Sequence, residues 1–166
     1  MTRRSTWLPQ PWRAAIRDEW IDYNGHLRDA YYTLLASEAI DDLMEQVGLD
    51  AAYRADTGGT LYTLEIHAHF LQEVKRDDAV TVVTRPLGAD AKRLHVLCEI
   101  RCPRLGDPAA VVEVLLLHVQ QHPAPKAAPF PVAVAERLSA WLADSQPVDA
   151  KHRSRAMGLQ RRDGGP

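Results

Sequence analysis

The sequence has 166 residues, of which 46% are hydrophobic and 25% are charged, and its formal net charge is -2. This length suits one well-packed domain and is too short for two ordinary ones. The small net charge gives no electrostatic reason to expect nucleic acid or a membrane surface as a partner. No apolar run is long enough to cross a bilayer, and the first residues lead into polar sequence rather than a secretory apolar core. We therefore expect a cytoplasmic protein.

The two cysteines, Cys98 and Cys102, lie in one strand-like run. At about 3.3 Å per residue, four steps separate their Cα atoms by roughly 13 Å, which is beyond the reach of a disulfide. A zinc site of the usual kind would require a second pair of ligands, and the sequence offers none at a suitable spacing. The pattern therefore predicts two buried free thiols.

The first half of the chain contains a strand followed by a long helix. Apolar and polar residues alternate from Trp12, which predicts a strand that continues to about Asp22. From about Leu27 to Val47 the apolar residues recur at steps of three and four, and Gly48 follows as a natural stop. Because large side chains cover much of its circumference, this helix is expected to be wrapped by other structure.

Four further strands are predicted at about residues 60–71, 80–87, 94–102 and 111–121. In the first of them, one apolar face is expected to carry Tyr62, Leu64, Ile66, Ala68 and Phe70, and the other face Thr63, Glu65, His67 and His69. The turns are short, so neighbouring strands should run antiparallel. Pro131 can open a last helix. In residues 145–166 the apolar residues no longer recur at a regular spacing, and basic side chains become more frequent.

The sequence thus predicts an α+β fold in which a five-stranded antiparallel sheet wraps one central helix, with an added C-terminal helix. Residues 1–144 would form the single domain, and residues 145–166 a basic flexible tail. One helix cannot cover such a sheet completely, so an edge stays open. Edge-to-edge pairing into a homodimer, or a dimer of dimers, is the expected remedy.

The stretch from Trp20 to Tyr32 is the strongest candidate for chemistry. Asp22 ends the predicted strand, and Asn24 and Gly25 supply a turn that tolerates a positive φ angle. The helix that follows points its free N–H groups and the positive end of its dipole back at this turn. A structural alternative is that Asp22 only caps the helix.

The run Trp20-Ile-Asp-Tyr-Asn-Gly-His-Leu, with the predicted order of elements, resembles the hotdog-fold acyl-CoA thioesterases of the 4-hydroxybenzoyl-CoA thioesterase-like branch. Within that branch, it is similar to the betainyl-CoA thioesterases of carnitine breakdown. Three further runs support the likeness, at residues 61–67, 90–95 and 127–131. The resemblance covers roughly residues 12–138.

This resemblance implies that Asp22 attacks the thioester carbonyl or activates a water molecule. His26 is the second catalytic candidate, which could orient the carbonyl or the base; the alternative is a solvated histidine in the first turn of the helix. It also implies that backbone N–H groups from His26 to Asp29 hold the carbonyl oxygen, and that the pocket lies between two subunits. It implies no metal and no cofactor, since coenzyme A is part of the acyl-CoA substrate. The chain departs from many relatives at Trp20, where they carry a second acidic residue.

The predicted substrate-binding residues are Asn24, Gly25, Asp29, Tyr32, Tyr62, Glu65, Lys92 and Arg93. Asn24 and Gly25 would set the loop, and aromatic residues such as Tyr32 and Tyr62 could bind a quaternary ammonium group. The phosphates of coenzyme A would meet Lys92 and Arg93, with the pair at positions 75 and 76 as the alternative.

Several alternatives remain open on the sequence alone. His67 and His69 share a strand face with Glu65, a spacing that can hold a metal ion, but no third ligand motif follows. Glu38, on the central helix, is a further base candidate. Two other functions are an acyl-CoA hydratase or dehydratase, for which His26 is suited, and a non-catalytic acyl-CoA-binding regulator on the same fold.

Overall fold

The computed structural model describes residues 7–149 and 153–154. The helices are α1 (Asp29–Val47), α2 (Ala51–Thr57) and α3 (Val132–Asp144). The strands are β1 (Trp12–Ala15), β2 (Gly59–Phe70), β3 (Ala79–Ala89), β4 (Arg93–Arg101), β5 (Ala110–Gln120) and the short β6 (Lys126–Ala127). Every strand pair is antiparallel, in the order β1-β3-β4-β5-β2, with β6 on β5. The five predicted strands and the central helix are confirmed.

Helix α1 packs on what we call the inner face of the sheet, and the opposite side is the outer face. Its buried side chains, including Leu35 and Leu43, form one core with Val96 of β4 and Val112 of β5. Gly48 ends the helix in the left-handed region, with φ 98°, and its N–H donates to the carbonyl of Met44. Burial of the apolar face of this helix is the main source of the domain's stability, while Leu34, Ser37 and Glu38 on its other face stay exposed.

The first strand is shorter than predicted. It ends at Ala15, and residues Asp18–Trp20 form a 3₁₀ turn instead of continuing the strand to Asp22. The N–H of Trp20 donates to the carbonyl of Arg17 at 3.0 Å, which closes this turn and buries the Trp20 ring. The alternating pattern could not reveal the turn, because the demand to bury Trp20 comes from the tertiary core.

Strand β2 contains a β-bulge that contradicts the predicted single apolar face. The register with β5 shifts between Thr63 and Glu65, so Leu64 is an extra residue. Tyr62 pairs with Leu117, whereas Phe70 pairs with Ala110. Those two β5 partners are an odd number of residues apart and therefore lie on opposite faces. Tyr62 thus lies on the outer face and Phe70 on the inner face.

Helix α3 docks on the domain, as predicted, through Val134, Leu138 and Trp141. Arg137 also donates from Nη1 to the carbonyl of Val47 at 2.7 Å, which ties α3 to the end of α1. None of the described helices is both long and apolar enough to span a membrane. The prediction of a flexible tail falls largely on residues 150–152 and 155–166, which lie outside the described residues.

Candidate active site

A tight turn connects Ile21 to Leu27, which face each other as an isolated β-bridge. The N–H of Asp22 donates to the carbonyl of His26 at 2.9 Å, and the N–H of Gly25 donates to the carbonyl of Asp22 at 3.1 Å. Gly25 adopts a φ of 79°, which glycine reaches without steric cost. The Asn24-Gly25 pair therefore builds the turn that was predicted from the sequence.

The carboxylate of Asp22 is held by this turn and not by the helix. Its Oδ1 accepts hydrogen bonds from the backbone N–H groups of Asn24 at 2.8 Å and His26 at 3.1 Å. The hydrogen bond from His26 is the main reason why the pKa of Asp22 is lowered from its ordinary value, so the group is ionised at neutral pH. Among the described residues both donors bind Oδ1, which leaves Oδ2 for a substrate or a water molecule.

Asp22 does not cap helix α1. The capping position is occupied by Arg28, and its side chain makes no capping hydrogen bond. The side chain of Asp29 instead accepts from the N–H of Ala30 at 2.9 Å. The structural alternative for Asp22, a helix cap, is therefore wrong, and its carboxylate remains free for another role.

Fewer of the backbone N–H groups from His26 to Asp29 are available to bind a carbonyl oxygen than was predicted. The N–H of His26 already binds Asp22, that of Leu27 donates to the carbonyl of Val74 at 2.8 Å, and that of Arg28 donates to the carbonyl of Trp20 at 3.0 Å. Asp29 has the only N–H of the four for which the described residues supply no acceptor. The helix start can thus offer one backbone donor to a carbonyl oxygen, and the helix dipole reinforces it.

These groups border a cavity of about 410 Å³ at the start of α1. It is lined by Asp22, His26, Leu27, Arg28, Asp29, Tyr32, Phe70, Leu71, Gln72 and Glu73. The rings of Tyr32 and Phe70 meet edge to face, with their centroids 5.3 Å apart and their planes at 71°. Tyr32 is fixed because its hydroxyl oxygen accepts from the N–H of Val74 at 3.2 Å. The cavity therefore combines a carboxylate, a helix start and an aromatic wall.

Glu73 extends this site on the side of His26. Its Oε2 lies 3.5 Å from Nε2 of His26. A second cavity of about 390 Å³ shares Leu71, Gln72 and Glu73 with the first and also contacts Lys75 and Arg104. A ligand with an acyl end in the first cavity and an anionic end in the second would fit this layout.

Six of the eight predicted substrate-binding residues do not line this cavity within one protomer. Asn24 and Gly25 build the adjacent turn, and the other four lie elsewhere. Tyr62 and Glu65 lie on the outer face, since they pair with Leu117 and Leu115 of β5. Arg93 also pairs with Leu117, whereas Phe70 pairs with Ala110. At roughly 3.3 Å per residue, these two positions of β5 are about 23 Å apart. Its guanidinium binds the carboxylate of Asp90 at 2.6 Å, and Lys92 belongs to the same turn.

The cavity residues 70–73, which include Phe70 and Glu73, were missed by sequence reasoning. The β2 pattern had assigned Phe70 to the core, yet its side chain is 50% exposed. Glu73 lies in an irregular segment without a pattern, and only the fold brings it to His26. Glu38 lies on an exposed part of α1 and does not line the cavity. Over the described part of the chain, no three His, Cys, Asp or Glu side chains are placed to share a metal ion.

Comparison with known proteins supports the interpretation of this site. The model of the thioesterase-like superfamily matches residues 16–138. A betainyl-CoA thioesterase from Pseudomonas aeruginosa is 46% identical over 125 residues, which cover 75% of this chain and 78% of that protein. An L-carnitine dehydrogenase/betainyl-CoA thioesterase from Agrobacterium fabrum is 42% identical over 106 residues, 64% of this chain but 22% of that larger protein.

Solved structures agree with these relatives. A Staphylococcus aureus protein in complex with CoA superposes with a TM-score of 0.79 at 25% identity, covering 92% of this chain and 98% of that chain. A candidate thioesterase from Pseudomonas putida KT2440 has a TM-score of 0.76 at 35% identity, covering 92% and 99%. Fold, family match and relatives together support an acyl-CoA thioesterase, a thioester hydrolase of the hotdog fold. The chain belongs to the thioesterase-like superfamily.

Proposed function

We propose that this enzyme hydrolyses betainyl-CoA to betaine and CoA, with Asp22 as the catalytic carboxylate. The observation that carries the proposal is that one cavity at the start of α1 is lined by both Asp22 and Asp29, whose N–H has no acceptor among the described residues. The named relatives support the acyl group, since betainyl-CoA thioesterase stands in the names of both the Pseudomonas aeruginosa and the Agrobacterium fabrum proteins. The enzyme would serve carnitine breakdown in the cytoplasm.

In this mechanism, the thioester oxygen accepts a hydrogen bond from the N–H of Asp29, where the helix dipole stabilises the negative charge that develops. Asp22 acts through Oδ2, either by attacking the carbonyl carbon or by taking a proton from the attacking water. If Asp22 attacks, the carbon–sulfur bond breaks as a mixed anhydride with Asp22 forms, and water then hydrolyses that anhydride to the acid and free Asp22. If water attacks, its oxygen stays on the acyl carbon as the carbon–sulfur bond breaks. In both routes the sulfur takes up a proton and leaves as the thiol of CoA. His26, beside both Asp22 and Glu73, is the proposed donor of the proton to sulfur.

We also propose that the active form is a dimer joined along β2, with a dimer of dimers as its larger form. Strand β2 is an edge of the sheet, and its exposed apolar side chains include Leu64 and Ile66, at 48% and 51%. A two-fold axis through the middle of β2 would place the far end of each strand beside the partner's cavity. Lys92 and Arg93 would then contribute to the partner's CoA site, and Lys75 to the site of its own protomer.

The test is the release of thiol from a panel of acyl-CoAs that contains betainyl-CoA and acetyl-CoA. Asp22→Asn should lower kcat by about a hundred-fold or more, because it removes a carboxylate that takes part in the reaction. Glu19→Gln, which changes an exposed carboxylate in the neighbouring turn, should leave kcat unchanged. Circular dichroism would establish that both variants fold.

Full activity of Asp22→Asn would overturn the site assignment. Loss of enoyl absorbance without release of thiol would favour a hydratase instead. Tight binding of acyl-CoA without turnover would favour a regulator.

A further inference from the structure

We infer that Phe70 and Glu73 select acyl groups that carry a quaternary ammonium on the carbon next to the thioester carbonyl. This inference rests on the proposed function and names the residues that would read the acyl group. Neither side chain forms a bond to the substrate or gives it a proton in the chemical step proposed above. Both are specificity-determining residues of the cavity at the start of α1.

The covalent structure of such an acyl group limits where its cation can bind. The nitrogen is two bonds from the carbonyl carbon, so the two atoms are roughly 2.5 Å apart by ordinary bond lengths. The methyl groups lie within about 4 Å of that carbon. When the carbonyl is held between Asp22 and the N–H of Asp29, the cation must therefore lie in the same cavity.

Phe70 and Tyr32 give this cavity two aromatic walls. Their planes meet at 71° with centroids 5.3 Å apart, so the two rings form a corner. Tyr32 is only 4% exposed, whereas Phe70 is 50% exposed and can present ring surface to a ligand. A trimethylammonium group is attracted to such a surface by the ring quadrupole and also buries its methyl groups there. A site for a plain alkyl acyl group would be served equally by aliphatic side chains.

The charge of the cavity points to the same class of acyl group. Its lining holds three carboxylates, Asp22, Asp29 and Glu73, against the guanidinium of Arg28, a formal charge of -2, or -1 when His26 carries the proton that it gives to sulfur. A neutral acyl group carries no charge and gains nothing from this negative charge. A cationic acyl group is attracted by it.

Among the three carboxylates, Glu73 is the one suited to the cation. Asp22 is required for the reaction, and Asp29 is held at the first residue of α1 by its hydrogen bond from the N–H of Ala30, where its own N–H is the proposed donor to the thioester oxygen. The Glu73 side chain is 68% exposed, and its Oε2 lies 3.5 Å from His26 at the cavity wall. It can therefore approach a bound ammonium without leaving a buried partner unpaired.

The experiment compares kcat/KM for betainyl-CoA and 3,3-dimethylbutanoyl-CoA, in which a carbon atom replaces the nitrogen. The two acyl groups have nearly the same shape and differ in charge. The wild type should prefer the cation by at least tenfold. Phe70→Leu should lower this preference by about 3- to 30-fold, in keeping with the strength of cation–π contacts, whereas Phe70→Trp should retain it.

Glu73→Gln should lower the preference as well, and added salt should weaken the effect of Glu73. Glu136→Gln, an exposed carboxylate on α3, is the matched control and should leave the preference unchanged. Equal hydrolysis of both substrates by the wild type would overturn this inference and leave the thioesterase function intact. The inference would also be overturned if Phe70→Leu and Glu73→Gln each lowered kcat/KM by the same factor for both substrates. If no acyl-CoA released thiol, the proposed function would fail first and this inference with it.

Discussion

Asp22 and His26 are joined by two hydrogen bonds that run in opposite directions. The N–H of Asp22 donates to the carbonyl of His26 at 2.9 Å, and the N–H of His26 donates to the Asp22 carboxylate at 3.1 Å. The first bond closes the turn, and the second aims the side chain. The position of the carboxylate is therefore set by local backbone geometry and depends on the conformation of the residues between the two.

Gly25→Ala should disturb this turn. At φ 79° an alanine costs about 1–2 kcal/mol, although no atom lies within 4 Å of the added Cβ. We expect a lower free energy of unfolding and a lower kcat, measured by urea denaturation and thiol release. Gly106→Ala is the control, since Gly106 also has open space around its Cβ but no positive φ. Equal stability of the two variants would contradict this explanation.

Asp78 should stabilise the segment that carries Glu73, in a pH-dependent way. Its carboxylate accepts from Arg104 at 2.7 and 3.1 Å and from the N–H of Lys75 at 2.7 Å, and Arg104 also binds the carbonyl of Glu73. The hydrogen bond from Arg104 is the main cause that lowers the pKa of Asp78 from 3.8 to about 2. Asp78→Asn should therefore destabilise the fold by about 1–3 kcal/mol at neutral pH.

Because the pKa of Asp78 is lower in the folded state, its contribution is complete above pH 3.8 and is lost as the pH falls toward 2. The difference in unfolding free energy between wild type and Asp78→Asn should thus be constant from pH 7 to 5 and shrink below pH 4. Asp18→Asn is the control, because Asp18 also pairs with an arginine but is 79% exposed, and such pairs contribute little. A difference that did not change with pH would contradict the assignment.

Ile66→Lys should disrupt the proposed dimer, since Ile66 is 51% exposed on the edge strand β2. A buried, unpaired ammonium at such an interface is costly. We expect light scattering to give a mass near the 18.6 kDa of one chain for the variant and a multiple of it for the wild type. Val132→Lys, at a 76% exposed apolar position on α3, should keep the wild-type mass. A wild type of 18.6 kDa would contradict the dimer.

Cys98 and Cys102 should not react with thiol reagents in the folded enzyme. Both are free and buried, as predicted, and burial raises the pKa of the Cys98 thiol to about 12. The reactive thiolate of Cys98 is therefore scarce at neutral pH. A disulfide reagent should detect no fast thiol in the native protein and two after denaturation. A fast native thiol would contradict this and would also interfere with the measurement of released CoA.

The sequence predicted those parts of the fold that follow from local pattern. Helix α1 was predicted because apolar residues recur at helical spacing up to Gly48, and the Asp22 turn because Asn24-Gly25 has clear turn chemistry. The bulge in β2 was missed because an extra residue leaves no mark in an alternating pattern. The cavity wall was missed for another reason: Phe70 and Glu73 are about 50 residues from Asp22 in the chain, and only the tertiary fold brings them together.

The extra residue Leu64 determines which side chain can reach the acyl group. In a regular strand, the alternation that starts at Tyr62 would place Phe70 on the outer face. The bulge reverses this alternation, so each residue from Glu65 to Phe70 points to the opposite face. A relative that paired its counterpart of Leu64 regularly with β5 would turn its counterpart of Phe70 out of the cavity, whereas loss of the Leu64 counterpart would leave that side chain facing inward. Among homologues, loss of the bulge from a strand of unchanged length is therefore expected to alter substrate preference without any change at Asp22.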